Sequence, residues 1–268
     1  MKAVSLCYHD AVLNQAFDAS GFPGASAASY KLDVEQLREH LDALAKKHPE
    51  GARRVDACIG ETQGCPLLLT FDDGGTSAIT HIAGLLEERG WKGHFLVTAG
   101  RIATPGFLSA AGIAELHARG HAIGSHSWSH PERMSRCDDA VLRDEWQRSV
   151  ARLSDIIGTR IEIASVPGGF HSRRVAMAAA EAGIRLLFTS EPHKSVERVG
   201  ECFVLGRYHI HRRTSAGMAA ALASVRWNAL QEWQHLFWNG KKLLKAVGGN
   251  AWHVAREAWW RQTIKRER

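Results

Sequence analysis

The chain has 268 residues, 45% of them hydrophobic and 23% charged. That length and balance suit one large globular domain, with or without a small appendage, and exclude a disordered, collagen-like or membrane-bundle chain. The net charge of +6 is uneven: residues 216–268 hold nine Lys/Arg against three Asp/Glu, so residues 1–215 are neutral and offer no basic surface for nucleic acid.

From the N-terminus, Met1–Leu6 has one lysine and a short apolar patch that runs straight into Tyr8-His9-Asp10. This is too short for a signal peptide, and apolar runs of about six residues are far below the ~20 that span a bilayer. The five cysteines, Cys7, Cys58, Cys65, Cys137 and Cys202, form no C-x-x-C pair and fit reduced thiols. The expectation is a cytoplasmic protein.

Ala3–Tyr8 reads as a strand, and Val34–Ala45, with Leu37, Leu41 and Leu44, as a helix. Leu67–Phe71 is an apolar run ending in Asp72-Asp73-Gly74-Gly75, a buried strand meeting a turn. Helix Ile79–Arg89 is followed by Gly90, strand His94–Thr98 by a helix 110–119 that Ser109 can cap. Then come strand Ala122–Ser125 and a long helix Asp139–Ile157 with Val141, Trp146, Val150, Leu153 and Ile157 inward. Strand Ile161–Val166, helix Arg173–Ala182 and strands Leu186–Thr189 and Cys202–Leu205 complete the series. Strand followed by helix, repeated, predicts parallel strands with crossover helices. The fold expected is α/β, a distorted (β/α) barrel of six to seven parallel strands over residues 1–215, followed by a Trp-rich basic helical tail over 216–268.

In such barrels the working residues follow the strands' C-terminal ends, and three polar clusters lie there. In Thr70-Phe71-Asp72-Asp73-Gly74 two adjacent carboxylates are costly to bury without a positive partner. Their side chains diverge, so one can bind a metal while the other faces a substrate; an ordinary acidic turn is the alternative. In Gly124-Ser125-His126-Ser127-Trp128-Ser129-His130-Pro131, His126 and His130 meet one ion if the segment makes a helical turn; a polar loop with surface histidines is the alternative. With an aspartate they make a two-His-one-carboxylate set suited to Zn²⁺ or a similar divalent ion. In Ser165-Val166-Pro167-Gly168-Gly169-Phe170, glycine can present a backbone N–H to a developing oxyanion, or the segment is a plain strand-to-helix turn.

In order and spacing, Thr70–Gly74, His126–His130 and Val166–Gly169 resemble the polysaccharide deacetylases with a NodB homology domain (carbohydrate esterase family 4). Tyr8-His9-Asp10 also resembles the first barrel strand of the exopolysaccharide-biosynthesis type. The resemblance covers roughly residues 1–210. It implies Asp72 as general base, Asp73, His126 and His130 as metal ligands, most simply of Zn²⁺, and Pro167 and Gly168 as substrate-binding residues, with the Gly168 N–H on the oxyanion. The reaction implied is metal-assisted amide hydrolysis that releases acetate and a free amine. Three features depart from the family. Ser165 stands where an arginine usually orients the base; Arg207 is one candidate to replace it, a plain surface arginine the alternative. The aromatic beside Gly168 is absent, with Phe170 as a possible substitute. An Asp–Trp pair has no counterpart near Thr189–Pro192. For the family's Leu-x-His the chain offers His209 and His211 on one strand face, and His211 is the preferred general acid.

The tail carries six of the nine tryptophans, and Trp227, Leu230, Trp233 and Phe237 recur at helical spacing before Lys241, Lys242 and Lys245. Either it covers the barrel, or it lies on an anionic membrane, peripheral on the inner face. The function expected is N-deacetylation of an N-acetylhexosamine unit in a surface polysaccharide or its lipid-linked precursor. The rivals are deacylation of a small non-sugar amide on the same scaffold and a non-catalytic glycan-binding module.

Overall fold

A computed structural model describes residues 2–58, 64–169 and 171–248. The strands are β1 (Val4–Tyr8), β2 (Ala11–Val12), β3 (Leu32–Asp33), β4 (Leu67–Phe71), β5 (His94–Val97), β6 (Ala122–Ser125), β7 (Ile163–Ser165), β8 (Leu186–Phe188), β9 (Val196–Val199), β10 (Cys202–Leu205) and β11 (Tyr208–His209). The helices are α1 (Ala25–Ala28), α2 (Val34–Lys47), α3 (Ala83–Glu87), α4 (Ala110–Ala118), α5 (Asp139–Ile157), α6 (Arg173–Glu181), α7 (Ala216–Leu222) and α8 (Ala229–Gly248). Nine strands form one sheet in the order β11-β1-β4-β5-β6-β7-β8-β10-β9, in which only the β9–β10 pairing is antiparallel. All seven expected strands are present; the short β11 and the edge strand β9 are additional. The segment expected as helix Ile79–Arg89 opens with a wider π turn over Ala78–Ile82 before α3.

The expected helices form where a side chain satisfies the first free N–H groups. Ser109 accepts from Gly112 N, Asp138 from Val141 N and Ser215 from Met218 N. In α5 the inward residues are Leu142, Glu145, Trp146, Ser149 and Leu153, so Val141, expected inward, is 42% exposed instead. Trp146 and Leu153 are buried as expected and Val150 and Ile157 pack against the core, while Leu142 takes the place of Val141 and a carboxylate, Glu145, joins the stripe.

The pleat positions the site. Residues two apart share a strand face, so Leu68, Thr70 and Asp72 line up, as do Leu96 and Thr98, Gly124 and His126, Ile163 and Ser165, and Arg207 and His209. At the lower level Leu68, Leu96, Ala122, Ile163, Leu186, Phe188 and Leu205 pack as one apolar cluster, with contributions from consecutive strands, as a barrel interior requires. One step up, the same faces become polar. The sheet does not close by a ladder between β11 and β8. Arg207 N donates to Glu191 O (2.9 Å), Arg207 Nε to Thr189 O (2.9 Å), and His209 Nε2 stands 3.3 Å from Ser190 O. These side-chain and loop contacts form a seam.

Residues 216–223, assigned to the tail by composition, contribute Ala219, Leu222 and Ala223 to the main core. No described helix is long and apolar enough to cross a membrane.

Candidate active site

The register carries Asp72, His126, Ser165, Arg207 and His209 to one rim. Asp73 Oδ1 lies 3.5 Å from His126 Nε2 and 3.7 Å from His130 Nε2. One ligand atom from each of the three residues falls within 4.8 Å of the others. The sequence predicted the residues but not the backbone. Residues 126–130 are not a helical turn: Ser127 (φ +63°) and His130 (φ +61°) are left-handed, and a loop folds the two imidazoles together. Asp73 (φ +77°) is left-handed too, so three of the six described non-glycine residues at positive φ belong to this site. Such conformations cost of order 1–3 kcal/mol each and persist only where the surroundings fix them.

Those surroundings are specific. Ser127 Oγ accepts the His130 N–H (3.1 Å). Glu145, buried on α5, accepts from Trp128 N, Ser129 N and Ser129 Oγ at 2.9, 2.8 and 2.6 Å, anchoring the loop between the two histidines. Lys31, 1% exposed, donates to the carbonyls of Phe17, Ser20 and Phe22 at 2.5–2.6 Å, and the Phe22 ring packs 4.8 Å from that of His130. Neither Glu145 nor Lys31 was singled out by the sequence.

The donor set fits a divalent cation. Burial, followed by the charges of Asp72 and Asp10, pushes the Asp73 carboxyl well above its ordinary range. An anion in such a place calls for a cation beside it. Burial likewise pushes His126 down to about 3 and lowers His130, so both imidazoles are neutral, the form that ligates. Ser165 fixes the tautomer. Its hydroxyl donates to Asp72 Oδ1 (3.1 Å) and stands 2.6 Å from His126 Nδ1. With its one proton directed to Asp72, it accepts from His126 Nδ1–H, and the Nε2 lone pair is left facing Asp73.

Asp72 is held differently. Arg207, fully buried, grips it with a two-pronged pair, Nη1 to Oδ1 at 2.7 Å and Nη2 to Oδ2 at 2.8 Å, and Nη1 also reaches Thr70 Oγ1 at 3.0 Å. Burial alone would raise the Asp72 carboxyl, but the guanidinium outweighs it and keeps the group well below the usual carboxylate range. Arg207 is therefore a buried partner that orients Asp72 and not a surface arginine. Ser165 does not leave this carboxylate loose either, since its hydroxyl donates to Asp72 Oδ1 directly. Cys7, His9 and Asp72 form a second convergent set. There the guanidinium already engages both carboxylate oxygens, and the Cys7 thiol, pushed well up by burial, stays protonated against Asp72 Oδ2 (3.5 Å).

Pro167 is buried and Gly168, at φ +61°, is exposed at the same strand end, three residues past Ser165. Phe170 lies outside the described residues. His209 lies at the seam, its ring pushed well below the ordinary histidine range by burial and then by the His211 and Arg207 charges. His211 is half-buried, its ring 4.7 Å from that of Tyr30 and 6.3 Å from that of His209. His9, lowered to about 4 by burial, feels the charges of both Asp72 and His211.

Comparison with known proteins finds polysaccharide deacetylases in both sequence and fold. The polysaccharide deacetylase family profile matches residues 60–187. A chitin deacetylase of Pestalotiopsis sp is 30% identical over 90 residues, 34% of this chain and 30% of that protein. The chain spans about half the length, or less, of the curated relatives it matches. Among solved structures, the Streptococcus pyogenes deacetylase PplD in complex with acetate has the same fold (TM-score 0.69, 16% identity, 84% of this chain, 99% of that one). So does IcaB from Ammonifex degensii (TM-score 0.64, 24% identity, 83% and 97%).

Proposed function

We propose, for a chain that belongs through residues 60–187 to the polysaccharide deacetylase family, a metal-dependent hydrolysis of the N-acetyl group of N-acetylhexosamine units in a surface polysaccharide or its lipid-linked precursor. The observation that carries this reading is the pairing of Asp73, His126 and His130 around one point with a second carboxylate, Asp72, fixed beside them by Arg207. A divalent ion held by those three residues, most simply Zn²⁺, supplies Lewis-acid polarisation of the amide carbonyl and a more acidic water. Asp72, kept ionised and oriented by Arg207, accepts the proton of the attacking water. The Gly168 N–H receives the developing oxyanion, and Pro167 shapes the turn that presents it. Protonation of the departing amine falls to His211, with His209 beside it on the same strand face. Acetate and a glucosamine-type amine leave.

The test is acetate release from N-acetylglucosamine oligomers, before and after chelation. The expected result is release that chelator abolishes and Zn²⁺ restores. Turnover of ureides or formamides in its place would establish the small-amide rival; specific oligomer binding with no turnover at any ion would establish the binding module.

A location beside a membrane is part of this proposal, and the faces of α8 are what support it. Its polar residues are turned inward: Gln231, Gln234 and His235 bond to the carbonyls of Leu222, His209 and Pro192. Three of its apolar residues are turned outward, while Leu230 and Trp238 face the body: Trp233, Leu236 and Phe237 are 57%, 60% and 48% exposed, with the Trp233 and Phe237 rings stacked at 5.0 Å. An outward apolar face in the segment that carries the whole net charge suits the surface of an anionic bilayer at the cytoplasmic leaflet. Sedimentation with vesicles of phosphatidylcholine plus phosphatidylglycerol is expected to carry the protein down, and Trp233→Ala/Phe237→Ala to weaken that binding about tenfold or more. Equal behaviour with pure phosphatidylcholine, or an unaffected double variant, removes the membrane reading.

A further inference from the structure

The loop Pro167–Gly169 brings no aromatic side chain to the site, yet the space beside it is filled by one. Gly169, at φ +69°, has no Cβ. A Cβ built there would fall 2.6 Å from Trp238 Cη2 and 2.4 Å from Ser190 Cβ, so the tip of the indole lies against the loop that offers the Gly168 N–H. The indole is half-buried and lies parallel to the His209 imidazole, 5.7 Å between centroids and 14° between planes. The helix that carries it is docked through Gln234, whose side-chain amide accepts from His209 N (3.2 Å) and donates to His209 O (2.9 Å). Trp238 thus bridges the turn after β7 and the end of β11, across the seam where the sheet has no ladder.

From this placement we propose that Trp238, supplied by α8 from outside the family-matched region, is the platform on which the pyranose ring bearing the scissile acetamide rests. The His209 imidazole stacks on the half-buried indole, and a flat apolar ring of this kind complements the C–H face of a pyranose. The acetamide of a ring seated there points to the turn that carries the Gly168 N–H, which is where the carbonyl oxygen has to arrive. Trp238 is therefore a specificity-determining residue. Gly169 is the counterpart of its intrusion, because a side chain there would collide with both Ser190 and the tip of the indole. The inference rests on the deacetylation reading and adds to it the residue that selects a sugar.

The experiment compares full-length wild type with Trp238→Ala, Trp238→Phe and Gly169→Ala. It uses initial rates on N-acetylglucosamine oligomers, calorimetric titration with the same oligomers, bound-ion content and circular dichroism. For Trp238→Ala the expected result is a KM and an oligomer Kd raised about tenfold or more, a kcat changed by less than about threefold, and full ion content. Trp238→Phe restores most of the affinity, and Gly169→Ala, whose Cβ meets both Ser190 and the indole tip, raises KM and Kd in the same direction. If Trp238→Ala fails to fold, the phenylalanine and Gly169→Ala variants decide the matter by the same KM and Kd readouts. Wild-type turnover together with unchanged KM and Kd in the variants overturns the platform. A wild type that neither binds nor cleaves the oligomers overturns the deacetylation reading as well.

Discussion

Asp73→Ala and His126→Ala are expected to abolish divalent-ion binding, whereas Asp72→Asn is expected to retain the ion and lose about a hundred- to ten-thousandfold in turnover. The argument is geometric. Asp73 Oδ1 faces both Nε2 atoms at 3.5 and 3.7 Å, and His126 has its other nitrogen bound to Ser165, so the ligand atoms are turned toward one another. Removing either leaves two donors, too few for a tight protein site. Asp72 instead directs both oxygens to Arg207, and its Oδ2 lies 4.0 Å from His126 Nε2, beside the ligand set but not part of it. An asparagine keeps the shape and one acceptor for the guanidinium but cannot take a proton. It also leaves the Arg207 charge uncompensated, so a loss of stability of about 3 kcal/mol accompanies the change. Ion content measured on the folded fraction separates the two effects. Equal ion loss in all three variants would end the division of labour between the paired aspartates.

Much of this site was legible because strand ends are legible. Leu67–Phe71 is apolar on both faces, as a covered parallel strand must be, so the carboxylates that follow it had to sit at a rim. The same reasoning placed His126 after β6 and Gly168 after β7. What stayed hidden was whatever depends on distant partners. Residues 126–130 read as a possible helical turn because H-x-x-x-H has helical spacing, but Glu145, some fifteen positions on, captures the loop's N–H groups and holds a left-handed path instead. Lys31 looks like a surface lysine until three loop carbonyls close around it. Strand β9 escaped because this antiparallel edge carries a carboxylate and a guanidinium, Glu197 and Arg198, where the buried strands of the sheet carry no acidic, lysine or arginine side chain. Arg207 was visible only as an option. Nothing in the spacing of Gly206-Arg207-Tyr208 says that β11 curls back beside β8 and delivers the guanidinium to Asp72.

Arg207→Ala is expected to be among the most damaging substitutions in the chain, for a reason distinct from catalysis. Asp72 is 5% exposed and Arg207 fully buried, so deleting the arginine leaves a carboxylate with no counter-charge and vacates its bonds to Thr189 O and Thr70 Oγ1 at the barrel seam. Breaking one partner of a buried pair costs about 3–5 kcal/mol, which for a chain of this size lowers the melting temperature by roughly 6–20 °C. Arg207→Lys keeps the charge but not the fork, and falls between wild type and alanine. The double variant Asp72→Ala/Arg207→Ala is expected to recover part of the stability lost in Arg207→Ala, because no charge is then left buried alone, while remaining inactive. Thermal melts of the four proteins, with the double-mutant cycle drawn from them, measure the coupling. A double variant no more stable than Arg207→Ala would mean that the arginine acts through the seam rather than through Asp72, and the base would then need another source of orientation, with Ser165 the nearest.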